Sequence, residues 1–196
     1  MMAYFPPVCD SPERVSKMNL AALAAASALF TATGGQAFSP APLAPAAKAD
    51  SLVPKPGLWT LAREDCHFNI RSDLARWPDC ADPLQVGEKA LSRPLPDAAG
   101  AARRFVYAPG DPGILQVETG RPGAEAWSYY GFRPLAVDAE GFVIRARIWP
   151  AACPRPGCRV KTAAEALAAV RKAEAAAFSG DETESGRTAV WARRAK

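Results

Sequence analysis

The chain has 196 residues, 49% of them hydrophobic and 22% charged, with a formal net charge of +4. That apolar content is too high for a disordered chain. The positive surplus is too small by itself to mark a nucleic-acid binder.

At the N-terminus, Arg14 and Lys17 precede an uncharged run rich in Ala and Leu, from Leu20 to Ala32. Gly35-Gln36-Ala37 follows, with small residues at the two positions a signal peptidase reads. The run is shorter than the about 20 apolar residues of a transmembrane helix. Residues 1–37 are therefore expected to be a signal peptide cleaved near Ala37. The mature protein is then periplasmic or extracellular, without a membrane span. Export bears on the cysteines. Cys9 lies in the signal, and Cys66, Cys80, Cys153 and Cys158 remain, an even set that reads as disulfides in an oxidising compartment. Four cysteines allow three pairings. Locality favours Cys66 with Cys80 and Cys153 with Cys158, because "CPRPGC" carries Pro-Gly turn chemistry.

Residues 38–56 have proline or alanine at nearly every second position and predict an extended, poorly packing tether. A single globular domain, 57–196, follows. "GLWTLA" (57–62) reads as a short strand, and "REDCHFNIRSDLARWPDCADP" (63–83) as an irregular excursion with a helical turn around 72–76. From residue 103 the period is two. "RRFVYA", "ILQVET", "AWSYYGFRPLAV" and "FVIRARIW" are joined by short turn-rich loops, so consecutive runs should pair antiparallel. In the last run Phe142, Ile144, Ala146 and Ile148 are expected to face the core. Val143, Arg145, Arg147 and Trp149 then face the other way.

After the second cysteine pair the period changes. "KTAAEALAAVRKAEAAAF" predicts a helix opened by a capping box, Thr162 and Glu165. Ala163, Ala166, Leu167, Val170, Ala173 and Ala177 form its apolar stripe. Glu174 falls within that stripe. The acidic residues that follow predict that this end overhangs solvent, with pairing to an arginine as the alternative. "RTAVWARR" (187–194) is a last strand, expected at the sheet edge. The fold class is α+β: an antiparallel meander of five to seven strands with one C-terminal helix packed on it, as an open sheet or a half-open barrel.

Few patterns carry chemistry. His67 is the only histidine and lacks an orienting partner in any recognisable pattern, so it reads as a surface or strand-end residue. Cys66, His67, Cys80, Cys153 and Cys158 match zinc in residue type but not in spacing, and no metal or cofactor is implied. Asp65, Asp73, Asp79 and Asp82 cluster near the first cysteine pair and offer the carboxylates a hydrolase needs, although loop acids are ordinarily turn formers. Trp127 and Tyr129 share one face of their strand, Tyr130 and Phe132 the other. Trp127, Tyr129 and Trp149, beside Arg145 and Arg147, form a candidate binding platform. Core packing on both faces is the alternative.

Gly57-Leu58-Trp59 resembles the Gly-x-Trp of lipocalins, whose tryptophan closes one end of a β-barrel, and the order meander, helix, short strand is also similar. The resemblance covers a tripeptide and an element order, and implies a calyx for a small apolar ligand. The same opening with an early disulfide is also similar to small periplasmic protease inhibitors. The functional expectation is an exported, non-catalytic binding module for a small molecule, a glycan or an envelope protein, and not for nucleic acid. A calyx-type carrier or inhibitor-like module is one alternative and a carboxylate-based hydrolase another.

Overall fold

The computed structural model describes residues 35–48, 51–62, 66–94, 102–119, 126–153, 158–178 and 186–193. Eleven strands and one helix run through them. The strands are β1 (Gly35–Gln36), β2 (Phe38–Ser39), β3 (Gly57–Thr60), β4 (Pro83–Val86), β5 (Ala90–Ser92), β6 (Arg103–Ala108), β7 (Gly113–Glu118), β8 (Trp127–Val137), β9 (Val143–Pro150), β10 (Ala152–Cys153) and β11 (Arg187–Arg193). Helix α1 (Ala163–Ala177) lies between β10 and β11. Short 3-10 turns at Leu74–Arg76 and Asp79–Ala81 punctuate the excursion after β3.

Eight strands close a barrel. β3 through β9 pair in sequence order, all antiparallel, and β11 pairs with both β9 and β3. The strand count and the closure both correct the expected open or half-open sheet. The two strands not anticipated, β4 and β5, form a short hairpin of four and three residues that begins at Pro83. β11 is a closing strand, not an edge strand. Closure leaves none of these eight with a free edge along its paired length, which removes the usual site of strand-to-strand aggregation.

Alternation around the ring sends Trp59, Leu61, Val86, Leu91, Phe105, Tyr107, Leu115, Val117, Tyr130, Phe132 and Ile148 inward. The β8–β9 register shifts between Pro134 and Ala136 and again before Val137, so that Val137 pairs with Val143 and Ile144 is skipped. This irregularity brings Val143 into the barrel core with no exposed surface, while Ile144 is only partly buried. The expected facing of that pair is thereby exchanged; Ala146 and Ile148 face in as expected.

A second core lies outside the barrel, under α1. Its stripe buries Ala166, Val170, Ala173 and Ala177 against Tyr129, Trp149 and Ala151. The cap forms with its return bond displaced by one residue: Thr162 accepts from the Glu165 amide at 3.2 Å, and Glu165 accepts from the amide of Lys161, just before the cap, at 2.7 Å. Trp149 is the centre of this layer. It pairs across β8 with Gly131, where a Cβ would collide with the indole ring, and its Nε1 donates to the Val170 carbonyl at 2.9 Å. Glu174 does not overhang. It accepts two hydrogen bonds from Arg133, at 2.6 and 3.0 Å, so the arginine-paired alternative holds.

Residues 38–48 are extended, as their prolines dictate, but packed. Their backbone groups find partners outside a regular ladder: Gln116, fully buried in β7, accepts from the amides of Leu43 and Ala44 and donates to the Ala44 carbonyl. The Ala47 amide donates to Tyr107 at 2.8 Å, and Val53–Lys55 run alongside Val143. The expected tether is therefore a strap. It crosses the outside of β7 and β8 and closes the barrel end where Val53 and Pro54 lie against the core.

Both local cysteine pairs lie at disulfide distance, with Cα–Cα separations of 5.7 Å for Cys66–Cys80 and 6.1 Å for Cys153–Cys158. The Pro-Arg-Pro-Gly turn between the latter falls outside the described residues, as do residues 1–34 of the expected signal. Around the second pair, Phe38 donates to Cys158 and Val160 donates back to Phe38, while β1 pairs with β10. The first pair secures a small third cluster, Leu58, Trp77 and Ala81, on the outer face of β3.

Candidate functional site

The aromatic platform is not an open surface. Trp127, Tyr129 and Trp149 are 5%, 0% and 0% exposed. Tyr129 and Trp149 are covered by α1 and the strap, and Trp127 pairs with Ser39 of β2 and lies under the Arg104 guanidinium. Both faces of β8 are core: the barrel interior takes Tyr130 and Phe132, and the helix layer takes Tyr129. Arg145 and Arg147 remain exposed, the latter stacked on Phe178. Two arginines of the five residues are thus available to a ligand.

Among the described residues the barrel interior shows no calyx either. The space between Pro54, Trp59, Phe105, Leu115 and Phe132 amounts to about 20 Å³, room for about one water. The other candidates are dispersed. His67, Asp73 and Asp79 are exposed on the excursion, and Asp65 lies outside the described residues. No cluster of metal-ligating side chains occurs among the described residues.

The chemistry concentrates instead at the barrel end opposite the strap's Val53–Pro54 closure. Residues paired across a sheet share a face. Arg103 pairs with Leu91, and Arg187 with Ile148, and both partners face in, so both arginines point into the mouth. Arg93 follows Leu91 by two residues on the same face. Asp82 enters β4 at this end in the left-handed conformation, φ 42° and ψ 63°, uncommon for a residue with a Cβ. Arg93 meets the Asp82 carboxylate at 2.9 Å, each side chain about a quarter exposed. Among the described residues the mouth therefore carries three guanidinium groups and one carboxylate over a floor of Leu61, Leu91, Phe105 and Tyr130.

Burial governs the titration of this end. It raises the Asp82 carboxyl above its ordinary value, against the opposing pull of Arg93 and then Arg187. It pushes the Tyr130 hydroxyl up to about 12, with the Gln36 side-chain bond and the charge of Arg103 acting in the opposite sense. The Tyr130 hydroxyl therefore stays protonated near neutrality. What the arrangement can do is hold charge: arginine stays protonated and offers planar, paired donors.

Motif reading passed over these arginines because they lie far apart in sequence, at 93, 103 and 187. The signal available was parity, since Arg103 shares the face of Phe105 and Tyr107, and Arg187 that of Ala189. No protein-family model, curated protein or solved structure matches the chain. No helix among the described residues is long and apolar enough to cross a membrane.

Proposed function

We propose that this protein is an exported, non-catalytic binding module that recognises its partner at the arginine-lined mouth of the barrel. The observation that carries this reading is the convergence of Arg93, Arg103 and Arg187 on the inward face of one barrel end. The filled interior favours recognition at the rim over uptake into a calyx. The candidate hydrolase acids do not favour catalysis: Asp73 and Asp79 are solvent-exposed, and Asp82 is held by Arg93. The two cysteine pairs at disulfide distance fit an oxidising, exported setting. The partner is a small molecule, a glycan or an envelope protein that presents negative charge.

The carrier alternative is tested by titrating a long-chain fatty acid while following the Trp59 indole N–H resonance, since Trp59 lines the interior. Recognition at the rim predicts no saturable change there. A saturable shift of Trp59 would favour the calyx and overturn this reading.

A further inference from the structure

The mouth specifies the ligand's chemistry as well as its place, on the reading that this end is the recognition surface. Asp82 offsets one of the three guanidinium groups. Among the described residues no salt bridge reaches Arg103 or Arg187. All three arginines are only partly exposed, and the Arg93 Nε is buried with no hydrogen-bond partner among the described residues. Taking cations out of water without a counter-charge is unfavourable, and a buried N–H without an acceptor adds to that cost. An anionic ligand relieves the first of these costs. An oxyanion brings negative charge and several acceptor oxygens, and arginine forks match its geometry with two parallel bonds.

We propose that Arg93, Arg103 and Arg187 form a site for a doubly charged phosphoryl group. Among the described residues the charge balance selects it: two guanidinium groups remain after Asp82 is counted, which a phosphate dianion matches and a single carboxylate does not. Arg103 and Arg187 flank the Arg93–Asp82 pair, so the group sits across the mouth rather than beside one strand. Arg93 is ion-paired with Asp82 through a terminal nitrogen and its Nε is buried, so Arg93 contributes charge to the site while Arg103 and Arg187 contribute the forks. The source is either free phosphate or a phosphate monoester. The apolar floor of Leu61, Leu91 and Phe105 gives a monoester's organic part something to rest on.

The experiment follows the arginine Nε–Hε resonances of the exported protein during titration with inorganic phosphate, phenyl phosphate and acetate at constant ionic strength. The site predicts saturable shifts of the three mouth arginines with both phosphates. Acetate should bind at least about tenfold more weakly, having one charge in place of two. Tighter phenyl phosphate identifies a monoester as the ligand class, and equal affinities identify the free ion. Arg103→Gln and Arg187→Gln should each weaken phosphate at least about tenfold, because each removes a charge-assisted fork. Arg145→Gln, on the exposed outer face, should leave it unchanged. Arg103→Lys retains charge without the fork and reports on the site if a Gln variant fails to fold. Absent saturation, or equal weakening by Arg145→Gln, overturns the phosphoryl site as mere attraction to a basic surface. The Trp59 titration judges the binding reading separately: a silent mouth with a silent Trp59 rejects this ligand alone.

Discussion

Two residues show how narrowly this fold is specified. Gly131 has no side chain because the Trp149 ring occupies that space in the layer between barrel and helix. Gly131→Ala should destabilise the protein by about 1–3 kcal/mol, the usual range for overpacking a filled core, as read from the urea midpoint. An unchanged midpoint would mean that Trp149 does not lie over Gly131. Asp138 makes the second case. The hydrogen bond from Lys55 holds its carboxyl below the ordinary 3.8, helped by the amides of Phe142 and Glu140. A lowered carboxyl contributes stability that is present above the unfolded value and lost as the pH falls through the folded one. The stability gap between wild type and Asp138→Asn should therefore shrink on acidification from about pH 7 to about pH 2. A gap that widens in acid contradicts this. Asp82 has the opposite sign, since its raised value costs stability once the pH exceeds the ordinary carboxylate range.

At the scale of elements, period-two alternation made β6 to β9 legible, and the capping box made α1 legible. What escaped has physical causes. β4 and β5 are too short for alternation to register, and Pro83 opens the first of them. The strap carries no strand pattern, because a buried glutamine of β7 supplies the partners that a ladder would. The platform was misplaced because alternation sorts residues onto two faces without saying that a helix covers one of them. Glu174 likewise showed only its position on the stripe; Arg133, its partner, lies 41 residues away. The register shift in β9 yields a direct test. Val143→Asp should unfold the domain, since a buried carboxylate without a partner costs several kcal/mol. Ile144→Asp should have an intermediate effect, and Arg145→Asp should stay within about 0.5 kcal/mol of wild type. If Ile144→Asp lowers the melting temperature more than Val143→Asp, the strand runs without the shift.

For the whole molecule, the proposed export predicts that the mature protein carries four oxidised cysteines and begins at Phe38. The loop-closure estimate gives about 3 kcal/mol for the Cys66–Cys80 bond and about 2 kcal/mol for Cys153–Cys158 before native strain is subtracted. Intact mass before and after thiol alkylation checks both expectations. Free thiols would contradict the oxidised state. Cleavage after Ala37 would remove β1 and a buried alanine, so a start at or before Gly35 would correct the cleavage site while leaving export standing.

The central claim is that a closed, filled barrel works from its arginine mouth. Parity places those arginines inward, but closure and the missing interior space emerged only with β4, β5 and the strap in place. Its most direct test is the melting temperature in phosphate against chloride at matched ionic strength, for wild type and for the Arg103→Gln/Arg187→Gln double variant. A ligand that binds only the folded state at a hundredfold excess over its Kd adds about 2.7 kcal/mol, or several degrees for a protein of this size. Phosphate also stabilises folded proteins generally by exclusion from their surfaces, an effect the double variant shares. The account predicts a phosphate-dependent rise in wild type well beyond the rise in the double variant. Equal rises in the two proteins would contradict it.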